Sequence, residues 1–273
     1  VKTMTELPIA SGARRLTPDE RAQYQRWGYV KNLPLFADAA VPRLQADVTR
    51  LIERVPDGVD VNRINMWHKA NRWYYDVCRT PAILNYVEDL LGPSFYQWGG
   101  QFFVKKPGDG SVVPWHQDAQ YWPLTPRRTV TVWLAIYDTD PSNGAMRVVR
   151  GSHLSGEVAH HEVQGEQYVL EQEADPASID PARVVSIDLR AGEISLHDDG
   201  LIHGSGPNMS DRPRCGLTMR FSPTEVTADR TVWPTFEVSM ARGEDTYGRN
   251  PHAKAPGGDA VPVRRFQHSS EFP

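Results

Sequence analysis

Residues 129–138 read TVTVWLAIYD, a β-branched and aromatic run in which Thr129, Thr131 and Trp133 share one face of an extended chain. Five comparable runs flank it: YQWGGQFFVKK (96–106), MRVV (146–149), RVVSIDL (183–189), EISLH (193–197) and RCGLTMRFS (214–222). Gly, Pro, Asn or Asp bounds these runs, the signature of short strands joined by turns. The chain upstream of Phe95 has a different period. Thr17-Pro18-Asp19-Glu20 has the form of a helix N-cap with proline at the first helical position and acids in the first turn. The following RAQYQRWG stops at Gly28. A second helix is expected from Asp38 to about Val55, with Leu44, Val48, Leu51 and Ile52 on one face. A third starts after Thr80-Pro81 and ends at Gly92. Helices followed by a series of strands indicate an α+β domain with a mainly β core, a sandwich or barrel.

Length and composition agree with one domain. The chain has 273 residues, 40% hydrophobic and 23% charged, long enough to bury a large core without disulfides. The expected division is a helical N-terminal cap over about 1–94, a β core over 95–223 and a C-terminal extension over 224–273. The stretch from Gly248 onward has no period and is expected to be an extended tail, surface-packed or partly disordered. Lys+Arg 30 against Asp+Glu 34 gives a net charge of −4, which argues against nucleic acid or an anionic membrane as partner. No apolar run approaches the roughly 18 residues of a transmembrane helix. Two cysteines, Cys78 and Cys215, exclude a disulfide framework and a Cys-rich zinc site. The opening VKTMTELPIASGARR lacks the apolar core of a signal peptide, so a cytoplasmic protein is expected. A monomer or homodimer fits this size.

The chemistry-bearing motif is Trp115-His116-Gln117-Asp118. Residues two apart on a strand face the same way, so His116 and Asp118 would bring an imidazole and a carboxylate into one space. Two histidines and one carboxylate with open positions left over form the usual site for non-haem Fe(II) that activates oxygen. Among nine histidines, His203 is the best third ligand. Leu201-Ile202 buries the chain before it, and Gly204 and Gly206 leave room for close approach. Arg214, eleven residues on, opens the next strand, where a guanidinium can grip a dicarboxylate through two parallel hydrogen bonds. An isolated H-x-D is more often a surface ion pair, and an isolated histidine more often structural. The joint pattern is much rarer by chance.

These residues make the sequence similar to the phytanoyl-CoA dioxygenase family of Fe(II)/2-oxoglutarate oxygenases. WHQDAQYWPL, VTVWLAIYDTDPSNGAMRVVRGSH, the His203–Ser205 H-x-S and the arginine eleven past the distal histidine carry the resemblance, over roughly Thr17 to Pro223. It implies a double-stranded β-helix, a cupin-like jelly roll with helices packed outside. It also implies iron on His116, Asp118 and His203, Arg214 on the far carboxylate of 2-oxoglutarate, and Ser205 supporting that carboxylate or its neighbour. The expected outcome is hydroxylation of a small molecule with O2 as cosubstrate and release of succinate and CO2. Desaturation, cyclisation or epoxidation would use the same ligands. Halogenases of the family put a small residue where Asp118 stands, so halogenation is not expected. Arg150-Gly151-Ser152-His153 replaces the family's Pro-Gly-Ser-His turn; His153 is structural in this comparison, and Arg150 adds a cation near the expected rim.

Gln101 either hydrogen-bonds the cosubstrate or satisfies a backbone group. Thr131 or Trp133 lines the cosubstrate pocket, unless both are core. Asn143-Gly144 is first a turn pair. Phe103 and the aromatic residues Trp115, Tyr121 and Trp122 would wall the substrate, with ordinary core filling the alternative. The unperiodic NRINMWHKANRWYYDVC (62–78), with Trp67 and Trp73, reads as a substrate loop or lid. Lys105, Lys106, Arg127, Arg128, Arg147 and Arg150 would steer an anionic substrate, if they are more than a solvated face. Two rivals stand beside an oxygenase. A cupin-like zinc or manganese enzyme would want more histidine ligands and no arginine anchor, and a non-catalytic jelly-roll module would leave the ligand spacing unexplained.

Overall fold

Thr17 starts the first helix as its sequence implies. Its side chain accepts the Glu20 N–H, and the Glu20 carboxylate in turn accepts the Thr17 N–H at 2.7 Å. In the computed structural model, which describes residues 7–262, this helix is α1 (Pro18–Trp27), closed by Gly28 at a left-handed φ of 79°. Strand β1 (Tyr29–Pro34) follows. The helix expected from Asp38 begins as a 3₁₀ turn over Asp38–Ala40 and becomes α2 only over Val41–Ile52, with Pro42 in its first turn. The unperiodic aromatic segment forms two short helices, α3 (Trp67–Ala70) and α4 (Arg72–Val77). The third expected helix is α5 (Pro81–Leu91), bounded by Thr80 and Gly92.

Strands account for the rest: β2 (Phe95–Lys105), β3 (Val113–His116), β4 (Leu124–Thr125), β5 (Val130–Ala135), β6 (Met146–Val149), β7 (His160–Glu162) and β8 (Gln172–Ala174). They continue as β9 (Val184–Ser186), β10 (Glu193–Asp198), β11 (His203–Ser205), β12 (Arg214–Pro223), β13 (Thr227–Ala228) and β14 (Ser239–Arg242). Six form a large sheet in the order β1-β10-β5-β12-β2-β14, and four a smaller one in the order β3-β11-β6-β9. All pairings within both sheets are antiparallel. Such crossed orders over two sheets, with helices outside, make a jelly roll.

Alternation along the large sheet divides core from cavity. Val130, Val132, Leu134, Ile194, Leu196, Leu217, Met219 and Phe221 join one buried cluster with Leu44 and Val48 of α2 and Ile83 and Val87 of α5. Their strand neighbours point the other way, to the interior between the sheets. Trp67 and Tyr74, both fully buried, pack edge-on to Phe102 at 4.9 and 5.2 Å. From Trp67 on, the 62–78 segment is therefore anchored into the core by its large apolar rings, a buried wall and not the expected aromatic lid, whereas residues 62–65 line the interior cavity. The C-terminal segment is integrated as well: β14 completes the sheet edge, β13 pairs with β4, and the buried Asn250 side chain donates to the Val226 carbonyl at 2.8 Å. Farther on, Arg72 donates its N–H to the Gly258 carbonyl at 2.8 Å. The rest of the expected tail, 263–273, lies outside the described residues. Among the described residues no helix is long and apolar enough to cross a membrane.

Candidate active site

β3 ends at His116, and Asp118 opens a 3₁₀ turn. The histidine and the carboxylate thus do not share one strand, but the turn brings them together: His116 Nε2 is 3.6 Å from Asp118 Oδ1. Register supplies the third group. On the antiparallel β3–β11 ladder His203 stands opposite His116. One ligand atom from each of His116, Asp118 and His203 lies within 4.8 Å of the others, and all three residues are buried. His116 Nδ1 hydrogen-bonds the Pro114 carbonyl at 2.8 Å, and His203 Nδ1 the Leu201 carbonyl at 2.9 Å. A carbonyl only accepts, so each Nδ1 carries a proton and each Nε2 is the nitrogen that faces the interior. Thr131 Oγ1 donates to Asp118 Oδ2 at 3.3 Å. Burial opposes a charge on Asp118, but the His116 and His197 rings outweigh it and hold the carboxyl well below its usual range. Burial, reinforced by His116, keeps His203 well below the ordinary imidazole value, in the neutral form a metal needs.

These groups open into a cavity of about 400 Å³ between the sheets, enough for a small ligand. At one end lies Arg214, 2% exposed. Its Nε and Nη2 donate to the Gly144 carbonyl at 3.0 and 2.8 Å, and Nη1 reaches Phe103 O at 3.5 Å. The Asn143-Gly144 turn thereby orients the guanidinium, with Gly144 at φ 77°. Among the described residues Arg214 has no carboxylate partner. Burial lowers its pKa to about 10, which leaves it charged at neutral pH. Ser205 also lines the cavity, its Oγ buried with no hydrogen-bond partner among the described residues. Trp133 also lines this end, 5.6 Å from the Arg214 guanidinium. Its ring covers Gly216, where any Cβ would overlap it.

Of the other sequence candidates, Gln101, Phe103, Tyr121 and Trp122 line the cavity. The Gln101 amide donates to the Asn62 carbonyl, and Tyr121 OH to that of Gln172 at 3.1 Å. Three expected substrate residues lie off the cavity lining. Trp115 neighbours His116 on a strand and so faces outward, packing with Val149 and Ile202 under Arg147, 5.0 Å away. Trp67 is core, and Trp73 Nε1 donates to Asp47 at 3.1 Å. The presumed mouth cations are elsewhere too. Lys105 is buried and donates to the Ser111 and Gly206 carbonyls at 2.6 and 2.5 Å. Arg127 and Arg128 pair with Glu157 and Glu225, and Arg150 lies over Trp27. None of these, nor Lys106, lines the cavity.

Two inward residues were not singled out from the sequence. His197 Nε2 is 3.7 Å from Asp118 Oδ2, and Arg220 lines the same wall. Strand register accounts for both: His197 pairs with Thr131, and Thr131 with Arg220. Their signal was the polar alternation Glu193-Ser195-His197 and Arg214-Thr218-Arg220 inside runs taken as strands.

The sequence model for the phytanoyl-CoA dioxygenase (PhyH) family matches residues 24–216. The chain is 23% identical over 255 residues to a probable alpha-ketoglutarate-dependent hypophosphite dioxygenase of Stutzerimonas stutzeri, covering 84% of this chain and 87% of that one. It is 24% identical over 246 residues to L-proline trans-4-hydroxylase of Streptomyces griseoviridis, covering 81% and 92%. Among solved structures, the non-heme monooxygenase ThoJ in its apo form superposes with a TM-score of 0.73 at 29% identity, over 88% of this chain and 90% of that one.

Proposed function

This chain belongs to the phytanoyl-CoA dioxygenase family, and we propose that it is a non-haem Fe(II)- and 2-oxoglutarate-dependent dioxygenase that hydroxylates an unactivated C–H bond of a small molecule, releasing succinate and CO2. The observation that carries this reading is the pairing of a buried His116–Asp118–His203 cluster with a buried arginine that has no carboxylate partner among the described residues. The donor set suits iron: two imidazoles and one carboxylate leave positions open. The pocket beside it suits a keto-diacid, since among the described residues Arg214 lacks a counter-ion and Ser205 Oγ lacks a hydrogen-bond partner.

In this reading His116 and His203 hold the ion through Nε2, and Asp118 through its carboxylate. When bound, the ferrous ion and 2-oxoglutarate together activate O2 and supply the oxidising power for C–H hydroxylation. The protein's own residues do the positioning. Thr131 fixes the Asp118 carboxylate, and the carbonyls of Pro114 and Leu201 fix the two rings. Arg214, braced by Gly144, receives the distal carboxylate of the cosubstrate, with Ser205 beside it. Phe103, Tyr121, Trp122 and Trp133 supply apolar surface that excludes water from the reacting centre. A cupin-like zinc or manganese hydrolase would leave the charge of Arg214 without a use.

Anaerobic addition of Fe(II) and then 2-oxoglutarate should produce a weak visible charge-transfer band that neither component gives alone. Admission of O2 should then release succinate. A colourless complex with Fe(II), or zinc-supported hydrolysis in its place, would refute the assignment.

A further inference from the structure

One cation of the cavity is neither a candidate iron ligand nor the arginine braced by Gly144. Arg220 lies on β12 six residues beyond Arg214, an even spacing that puts both on the inner face. It is 8% exposed and lines the cavity. Among the described residues its Nε is buried without a hydrogen-bond partner and no acid lies within ion-pair distance, Asp118 favouring its charge only from farther off. A buried guanidinium left without a partner is costly, so a fold that retains one is expected to recover that cost on a ligand.

The neighbourhood fits this. Arg220 pairs across the sheet with Gly99 on one side and Thr131 on the other. A Cβ at Gly99 would stand 2.9 Å from Arg220 Cδ, so the glycine leaves the stem its course. The guanidinium rests 5.1 Å from the Trp122 ring and 6.0 Å from that of Trp98. These rings support it sideways, and among the described residues no hydrogen bond engages its terminal nitrogens. Thr131, its strand partner, is the residue that donates to Asp118, so this end of the cavity adjoins the metal cluster.

Charge balance points the same way. The two charges of a ferrous ion and the one on Arg214 are matched by Asp118 and the two carboxylates of 2-oxoglutarate. Asp60 and Glu171, the other acids of the lining, lie at its exposed rim, and Asp60 faces Arg63 at 3.9 Å. Arg220 is the cation left over.

We propose that Arg220 anchors the substrate by a carboxylate or similarly compact oxyanion, holding the C–H to be oxidised near the metal. This rests on the dioxygenase reading and adds the substrate's chemical class to it. 2-Oxoglutarate also carries carboxylates, so the test separates the two sources. Protein loaded with Mn(II) and 2-oxoglutarate, which does not turn over, is titrated with L-proline against L-prolinamide and with benzoate against benzamide, reading tryptophan fluorescence. An acid should bind at least tenfold more tightly than its amide. Arg220→Met should abolish that preference, and the affinity for 2-oxoglutarate should change less than twofold. Arg220→Lys keeps the charge but loses the planar fork, and should weaken acid binding at least threefold even where Arg220→Met fails to fold. Equal binding of acids and amides would overturn the proposal, as would displacement of the acid by excess 2-oxoglutarate or an Arg220→Met variant that chiefly loses 2-oxoglutarate. Electron paramagnetic resonance of the Mn(II) tests the metal site separately. If Mn(II) fails to bind, the dioxygenase reading fails, while a preference for acids in metal-free protein would still report on Arg220.

Discussion

His203 stands across the β3–β11 ladder from His116, with ring centroids 4.2 Å apart. Each ring is turned by a hydrogen bond from Nδ1 to the carbonyl two residues earlier. The ladder fixes the distance between the rings, and the two carbonyls fix which nitrogen faces inward. His203→Ala should therefore lower metal affinity by about a hundredfold or more and abolish succinate formation, read by Mn(II) titration. Thr131→Val removes only the support of Asp118 and should cost about tenfold to a hundredfold.

Arg214→Ala should raise the 2-oxoglutarate KM about thirtyfold or more, since truncating one partner of a buried charge pair costs about 2 kcal/mol or more. Arg214→Lys should not restore it. The native side chain uses Nε and Nη2 on Gly144 while presenting the rest of its fork, a division an ammonium cannot reproduce. Steady-state kinetics with varied 2-oxoglutarate measure both variants.

Gly216→Ala drives a methyl group into the Trp133 ring. Overpacking of this kind costs about 1–3 kcal/mol, and here the displaced ring also moves into the Arg214 end of the cavity. The melting temperature should fall, and 2-oxoglutarate affinity should fall with it.

Trp67→Ala distinguishes a core residue from a substrate contact. Trp67 is fully buried against Phe102, so truncation should cost about 3–5 kcal/mol in chemical denaturation. A stable variant with a changed substrate KM would restore the lid reading of this segment.

Glu20 gives a pH signature. The Arg14 side chain, with help from the Thr17 N–H, depresses its carboxyl from 4.5 to about 2. A folded value below the unfolded one means that the stabilisation is present above pH 4.5 and is lost as pH falls toward 2. Glu20 is mostly solvent-screened, so the effect is small, within the about 1 kcal/mol of a helix cap. Thermal melts of wild type should fall across this window relative to Glu20→Gln, whose difference from wild type should shrink in acid.

Local chemistry was legible in the chain. Thr17, Pro18, Glu20 and Gly28 delimit α1, Pro81 and Gly92 delimit α5, and the β-branched runs became strands because caps, turns and alternation act over a few residues. His116, Asp118, His203 and Arg214, which share the cavity, were also readable as candidates, since each sits at a fixed offset within a short motif. The 62–78 segment was not. Its aromatic residues have no period, because Trp67, Tyr74 and Phe102 meet through packing between separate elements.

The sequence by itself therefore determined the elements and which residue types were candidates for the ligands and the anchor, all properties of neighbouring residues. Tertiary structure alone decided which side chains share the cavity. Trp115 was turned away by its place beside His116 on β3, whereas His197 and Arg220 were brought beside Asp118 by cross-strand register. Register depends on pairing between strands far apart in the chain, and a shift of one residue would send each of those side chains to the opposite face.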